Sequence, residues 1–284
     1  MSASETDGPD FDQLADEELV ADLTDGVLRL TINRAEKGNA IPWYVRERLI
    51  QHFLDAHVDL AVRCVALTAA GERHFCTGAD LSVPNPMVAK PDGAPDRPVG
   101  VATNMMRRGF ERLMESILDC QKPVIVALNG TAAGGGSLLT LAADLVIAAD
   151  TARIIQVFVR RGLIPDGGVA YLLPRLVGMH KAKELVFFGD DLSAADAERL
   201  GIVNKVVPAT ELVAATDEWA ARLASGPTKA IGWSKHLLNL AFEVPRSQHL
   251  ETEATLVEMN THTEDSKEGV SSFMERRQPS WQGW

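Results

Sequence analysis

Two apolar strand segments that each lead into a glycine-rich turn constrain this chain more than any other feature. Residues 61–68 precede the turn at 74–81 (HFCTGADL), and residues 123–128 precede the turn at 129–136 (NGTAAGGG). Glycine lets backbone approach a ligand closely, because it has no Cβ to obstruct it. Two such junctions can point two backbone N–H groups at one oxygen atom. Paired N–H donors suit the negative charge that develops on a thioester oxygen during enolate formation.

Alternating strands and helices surround these turns. Residues 27–33 alternate in the manner of a β-strand, and residues 42–57 predict a helix with a proline near its start. Residues 145–149 read as a buried strand. Residues 135–143 predict a helix that begins at the second glycine turn, so its positive dipole end lies beside that turn. The pattern predicts an α/β chain.

A series of motifs in chain order resembles the crotonase family, also called the enoyl-CoA hydratase/isomerase family. Glycine-rich turns are common, so no single motif identifies the family. The resemblance rests on the fact that all of these motifs occur in the same order along the chain as in the family. The resemblance implies a right-handed spiral of β-β-α units with a helical C-terminal trimerisation region, which periodicity alone does not show. The motifs lie at residues 33–40, 74–81, 129–136, 162–168, 173–178, 192–197, 201–204 and 268–279.

Three regions follow from composition and from this resemblance. The first 26 residues hold nine acidic side chains and no lysine or arginine, so we expect a flexible acidic extension over residues 1–22. The spiral core is expected over residues 23–210. Residues 211–284 are expected to form helices, with Asp265 and Glu268 capping the last one. In the family such a tail mediates trimerisation, which implies a homotrimer or a hexamer built as a dimer of trimers.

Composition excludes several classes of protein. The net charge of −11 arises mainly in the acidic head, and no basic stripe with interleaved aromatic residues indicates nucleic-acid binding. No segment approaches the ~20 apolar residues of a membrane span, and the acidic N-terminus does not resemble a signal peptide. Cys64, Cys76 and Cys120 lack a paired spacing, so we expect buried thiols in a cytoplasmic protein and no metal site. Dinucleotide and ATP motifs are absent from the sequence.

The resemblance assigns functions to individual residues. It implies that Ala79 and Gly135 donate their backbone N–H groups to the thioester oxygen. It implies no cofactor beyond the coenzyme A of an acyl-CoA substrate, with the pairs Arg34/Lys37 and Arg276/Arg277 as candidates for contacts to the CoA phosphates. The residues expected to bind substrate are Lys37, Ala40, Thr77, Asp80, Leu81, Ser82, Gly134, Leu138 and Phe158.

Leu138 and Phe158 stand where the family's hydratases carry their two catalytic glutamates. Adding water across a double bond needs one group to orient and deprotonate water and another to supply the α-proton. Neither apolar side chain can do this. Ordinary two-glutamate hydration is therefore not expected.

Asp166 is the remaining carboxylate in a family motif, at a position where some isomerases of the family use an aspartate. One carboxylate suffices for double-bond migration, and a dry cavity raises its pKa toward neutrality. The competing interpretation is that Asp166 braces the Pro-Asp-Gly-Gly turn. We therefore expect an enoyl-CoA isomerase. The alternatives are a hydratase, hydrolase or C–C-cleaving enzyme with a non-standard base, or a catalytically silent acyl-CoA-binding protein.

Residues 83–104 interrupt the regular pattern with prolines and glycines, which argues against a helix or strand between residues 86 and 100. The segment follows the Ala79 turn directly, and long loops in compact domains are often lids or binding loops. It is expected to overhang the acyl pocket. The apolar side chains available to line that pocket are Met87, Val88, Val101, Met105 and Met106.

Overall fold

The computed structural model describes residues 9–85 and 91–284, and ten strands and twelve helices alternate along this part of the chain. The strands are β1 Leu19–Thr24, β2 Val27–Ile32, β3 Cys64–Ala69, β4 His74–Cys76, β5 Val124–Leu128, β6 Thr131–Ala133, β7 Leu145–Ala149, β8 Arg153–Ile155, β9 Asp191–Ser193 and β10 Lys205–Val207. The helices are α1 Phe11–Glu18, α2 Trp43–Val58, α3 Val101–Arg108, α4 Phe110–Asp119, α5 Gly135–Ala142, α6 Val169–Val177, α7 Met179–Phe188, α8 Ala194–Arg199, α9 Leu212–Ala224, α10 Thr228–Leu240, α11 Arg246–Thr261 and α12 Glu264–Glu275.

The strands form two sheets that the chain visits in turn. The larger sheet has the order β1-β2-β3-β5-β7-β10, and the smaller has the order β4-β6-β8-β9. Successive pairs, β3 with β4, β5 with β6 and β7 with β8, place one strand in each sheet before the chain enters helices. Neighbouring strands of consecutive units are parallel. The predicted spiral of β-β-α units is confirmed.

Burial of the larger sheet explains its apolar strands. All five residues of β5 are buried, as expected for a parallel sheet covered on both faces. Helix α9 covers one face through Ala220 and Ala224, which pack with Val27 and Ile125. The opposite face joins the main core with helices α2, α4 and α5. The same core includes Cys76 of β4 and Ala132 of β6, so it also holds the strands of the smaller sheet that lead into residues 77–81 and 134–136.

The predicted flexible extension is wrong for residues 11–22. Asp10 caps α1, since its carboxylate accepts hydrogen bonds from the N–H groups of Asp12 and Gln13, and the ring of Phe11 contacts Trp43 at a centroid separation of 5.0 Å. Residues 19–24 pair with β2 as an antiparallel edge strand. The acidic composition of this segment predicted flexibility, but its helix also has an apolar face that packs on the core.

The helical C-terminal region is confirmed, with one correction to its capping. Thr263, and not Asp265, caps α12, because its hydroxyl accepts a hydrogen bond from Ser266 N at 3.0 Å. The Asp265 carboxylate instead accepts hydrogen bonds from Gln282 N at 2.6 Å and from Gly283 N at 2.8 Å. Asp265 therefore ties the segment after α12 back to the start of that helix.

The three cysteines are buried and free, as expected. Burial raises the pKa of the Cys76 thiol to about 12, so this thiol stays protonated at neutral pH. None of the helices described above combines the length and apolar character that a bilayer crossing requires.

Candidate active site

The turn after β4 presents the N–H of Ala79 on its open side. Ile41 N donates to Gly78 O at 2.8 Å, and Asp80 N donates to Ile41 O at 2.9 Å. Because hydrogen-bonding groups alternate sides along an extended strand, the Ala79 N–H points away from Ile41. Ala79 is exposed, so this amide is accessible to a ligand.

The turn after β6 ends where α5 begins, at Gly135. Gly134 precedes it with φ 54° and ψ −117°, a backbone conformation that favours glycine. The first N–H groups of a helix have no intrahelical acceptor, and Gly135 is the first residue of α5. No carbonyl of the described residues accepts a hydrogen bond from the N–H of Gly135 or of Ala79.

The two turns lie against each other. A methyl group built on Gly78 would lie 3.2 Å from Gly135 N, and one built on Gly136 would overlap Cys76 O. Glycine at both positions allows this close approach. Two unpaired backbone N–H groups are therefore held at neighbouring points of the surface, beside the positive end of the α5 dipole.

Arg34 holds the Ala79 turn from behind. Its guanidinium donates from Nη2 to Asp80 Oδ2 at 2.8 Å, and its Nε lies 2.7 Å from Glu18 Oε2. The Arg34 side chain is 1% exposed, so the prediction that Arg34 meets CoA phosphates is wrong. Burial and the two carboxylates act in opposite directions on Arg34, and its pKa is raised.

The residues predicted to bind substrate around this turn fall into two groups. Lys37, Leu81 and Ser82 are exposed, whereas Ala40 and Thr77 are half-buried and Gly134 is buried. The loop before α2 packs directly on the turn, since a methyl group on Gly38 would lie 3.1 Å from Thr77 Cγ2. The loop that holds Lys37 and Ala40 and the turn that begins at Thr77 are therefore brought together. The contacts of these residues with CoA remain predictions.

Asp80 is engaged within the protein. Its Oδ1 accepts hydrogen bonds from Ser82 N at 2.9 Å and from Ser82 Oγ at 2.6 Å, while Oδ2 is bound by Arg34. Burial raises the pKa of Asp80, but the hydrogen bonds from Ser82 and Arg34 outweigh it, so the net pKa is lowered. Asp80 thus stays ionised and fixes the turn on which Ala79 lies.

Apolar side chains close the other end of the site. Leu138 lies on α5 and is 1% exposed, and Phe158 lies on a 3-10 turn over Val157–Arg161 and is 6% exposed. A methyl group on Gly167 would lie 3.0 Å from Leu138 Cδ2. The turn that carries Asp166 is therefore in contact with Leu138.

Asp166 sits on this turn beside the apolar groups. Its carbonyl accepts a hydrogen bond from Val169 N at 3.2 Å. Asp166 is exposed, so the described residues do not enclose it in the dry cavity expected from the sequence. Partial burial still raises the pKa of its carboxyl group, and the charge of Glu111 raises it further. The backbone N–H of Asp166 opposes this shift. A carboxyl group in these surroundings holds a proton more tightly than a fully solvated one.

Phe110 and Glu111 were not identified from the sequence as residues of this region. A methyl group on Gly135 would lie 2.6 Å from Phe110 Cε1, and the charge of Glu111 raises the pKa of Asp166. Both stand in the first turn of α4, where sequence periodicity indicates only a solvated helix face for Glu111. Their proximity to residues 135 and 166 depends on long-range packing between α4, α5 and the turn before α6.

The loop expected to overhang the site is described in part. Residues 91–100 contain no helix or strand, as predicted, and α3 follows with Val101 39% and Met105 44% exposed. Met87 and Val88 lie outside the described residues. Among the residues that the structure describes, no group of histidine, cysteine, aspartate and glutamate side chains is placed to bind a metal ion.

Comparison with known proteins gives a consistent family. The sequence profile described as enoyl-CoA hydratase/isomerase matches residues 22–284. The chain is 36% identical over 259 residues to 1,2-epoxyphenylacetyl-CoA isomerase from Escherichia coli K12, which covers 91% of this chain and 95% of the relative. It is 33% identical over 265 residues to carnitinyl-CoA dehydratase from Proteus mirabilis, covering 90% and 95% respectively.

Solved structures agree with this result. An enoyl-CoA hydratase from Bacillus anthracis superposes with a TM-score of 0.82 at 32% identity. The superposition covers 94% of this chain and 100% of that structure.

Proposed function

Because the chain belongs to the enoyl-CoA hydratase/isomerase family, we propose that it isomerises an acyl-CoA thioester by moving a proton through an oxyanion-stabilised enolate. The substrate is an enoyl-CoA or a related activated thioester. Ala79 N–H and Gly135 N–H bind the thioester oxygen, and Asp166 transfers the proton. No cofactor is required beyond the CoA of the substrate.

The replacement of both glutamate positions by buried apolar residues carries this proposal. Leu138 and Phe158 leave no carboxylate to orient water where a hydratase of the family holds one. Asp166 borders Leu138 through Gly167, and its raised pKa makes it a stronger base than a fully solvated carboxylate. A relative named as an acyl-CoA isomerase, 36% identical over most of both chains, supports the same reaction class.

The reaction balances with a single base. Asp166 removes a proton from a carbon activated by the thioester, and the electron pair moves onto the thioester oxygen as an enolate. Two N–H donors stabilise that charge without reorganisation, and each contributes on the order of 10²–10³ in rate. The same carboxylic acid then returns the proton to a second carbon. The mass of the substrate does not change.

Hydration is the second candidate function, and one observation favours it. Glu111 lies close enough to Asp166 to raise its pKa, so the site has two neighbouring carboxylates despite the loss of both usual glutamates. Two carboxylates can divide the roles of activating water and supplying a proton. The relative named carnitinyl-CoA dehydratase belongs to this class of chemistry.

A panel of acyl-CoA thioesters separates these functions. The enzyme is incubated with 2-enoyl, 3-enoyl and epoxyacyl thioesters in H₂O and in D₂O, and the products are analysed by chromatography with mass detection. Isomerisation leaves the mass unchanged in H₂O, hydration adds one water, and hydrolysis releases free CoA. Asp166→Asn should abolish turnover while acyl-CoA affinity persists. Full activity of Asp166→Asn, or products that only gain water, would overturn the isomerase assignment.

A further inference from the structure

Phe110 contacts both turns that carry the proposed chemistry. A methyl group built on Gly135 would lie 2.6 Å from Phe110 Cε1 and 2.9 Å from Cζ, so the edge of the ring rests against this glycine. A methyl group built on Gly167 would lie 3.1 Å from Phe110 Cβ. One side chain therefore spans from the proposed oxyanion donor to the residue next to Asp166.

The position of this ring is fixed by its neighbours. The guanidinium carbon of Arg46 lies 6.0 Å from the ring centroid, and Arg46 is itself held by Glu47 at 2.9 Å. Gly109 precedes the ring at the break between α3 and α4, where a methyl group would lie 2.5 Å from Met105 O. The backbone that carries Phe110 is thus tightly packed at the junction between α3 and α4.

Phe110 has open apolar surface, as does Met114, whereas two other apolar residues of this region do not. Leu138 and Phe158 are buried within the protein, whereas Phe110 is only half-buried. Met114, one turn further along α4, packs against Gly168. Phe110 thus combines contact with Gly135 and apolar surface still open to a ligand.

We propose that Phe110 is a specificity-determining residue that limits the width of the acyl group next to the thioester carbonyl. The inference rests on the proposed function, since it places the thioester oxygen at Gly135 N and the reacting carbons toward Asp166. The acyl carbons nearest the carbonyl must then pass the ring. The site takes acyl groups that are flat and unbranched at these carbons, and a methyl branch on the α- or β-carbon meets Phe110.

Binding of saturated thioesters tests this inference without turnover, because these ligands have no double bond to move. Calorimetry compares butyryl-CoA with isobutyryl-CoA, and valeryl-CoA with isovaleryl-CoA, for the wild type, Phe110→Leu and Phe110→Ala. One methylene in an apolar pocket discriminates by about 10- to 200-fold. Phe110→Ala should therefore reduce the preference for the straight chain about tenfold or more, and Phe110→Leu should do so by less. Affinity for free CoA should not change.

A matched control lies on the same helix. Leu118→Ala removes a partly buried apolar side chain two turns further along α4 and should leave the preference unchanged. A change below twofold in both folded Phe110 variants, or an equal change in Leu118→Ala, would overturn the inference. If the Phe110 variants change the preference for straight-chain acyl-CoA while the enzyme isomerises no enoyl-CoA, that result would contradict the proposed reaction and support the role of Phe110. If the wild type binds no acyl-CoA, both proposals fail.

Discussion

Arg34 Nη2 donates a 2.8 Å hydrogen bond to Oδ2 of Asp80, the residue that directly follows Ala79. The same guanidinium contacts Glu18 at the end of α1, and Tyr44 OH donates to that glutamate at 2.7 Å. The N-terminal helix is therefore linked through buried charges to the turn that presents the proposed oxyanion donor. Positioning of this amide depends on residues far outside the motif that contains it.

Replacing Arg34 should destabilise the fold strongly. Arg34→Met leaves Asp80 and Glu18 without their cation in a largely buried setting, and breaking a buried pair in this way costs about 3–5 kcal/mol. Urea denaturation at pH 7 measures the loss. Arg29→Met is the matched control, because Arg29 pairs with Asp217 at 3.0 Å in a setting where both side chains are over a third exposed. Exposed pairs contribute about 0–1 kcal/mol, so an equal loss in both variants would contradict the role of Arg34.

Exchanging volume between Gly135 and Phe110 tests the geometry of the oxyanion site. Gly135→Ala keeps the N–H but places a methyl group 2.6 Å from the Phe110 ring, and we expect the resulting strain to displace the helix start and misalign the donor. Turnover should fall by up to about 10²–10³-fold, the usual cost of one lost donor. Adding Phe110→Ala makes room for the methyl group and should restore part of the rate.

Gly136→Ala supplies the contrast for this experiment. Its methyl group would overlap the backbone oxygen of Cys76 and not the Phe110 ring. Phe110→Ala should therefore give no recovery in that background. Equal recovery in both backgrounds would show that the ring does not set the position of Gly135.

The strands and helices were largely predictable because their patterns are local. The predicted strand at residues 145–149 matches β7 end to end, and the predicted helix at residues 42–57 matches α2 to within one residue at each end. The N-terminal region was not predicted, because nine acidic residues outweighed the apolar face of Phe11, Leu14 and Ala15 that packs on the core. A cap residue such as Asp10 before that face was the available signal.

Of the predicted site, the sequence anticipated the two glycine turns, while the roles of their N–H groups in catalysis stay predictions. The family resemblance singled out Ala79 and Gly135, and the structure brings the turns that hold them together. Side chains whose position depends on tertiary packing were missed. Arg34 is predicted to contact the CoA phosphates but is buried, and the closeness of Glu111 to Asp166 arises only when α4 packs beside the turn at residues 166–168.

The exposed apolar surface of α12 should mediate the trimer or hexamer that the family resemblance implies. Phe273 is 82% exposed, Met274 75% and Val270 66%, and burying such side chains in an interface is favourable. Light scattering of the wild type should give at least three times the chain mass of 30.8 kDa, and Phe273→Glu with Met274→Glu should give the monomer. Leu23→Glu, at an exposed apolar position of β1, should not change the mass. A monomeric wild type at micromolar concentration would contradict the assembly.

The pH dependence of turnover should report Asp166 and its neighbour Glu111. Burial and the charge of Glu111 raise the pKa of Asp166, and a base works only when deprotonated, so kcat/KM should rise with pH through this raised pKa. Glu111→Gln removes a negative charge, which lowers the pKa of Asp166 and moves the rising limb to lower pH. Salt should move the rising limb of the wild type in the same direction, because it screens the two carboxylates, and Glu111→Gln should lose most of that sensitivity.

Glu115→Gln is the control, because it removes the same charge one turn further along α4. It should leave the rising limb in place, since Glu115 is not among the groups that shift the pKa of Asp166. A limb that stays fixed in Glu111→Gln would show that the two carboxylates do not interact during catalysis.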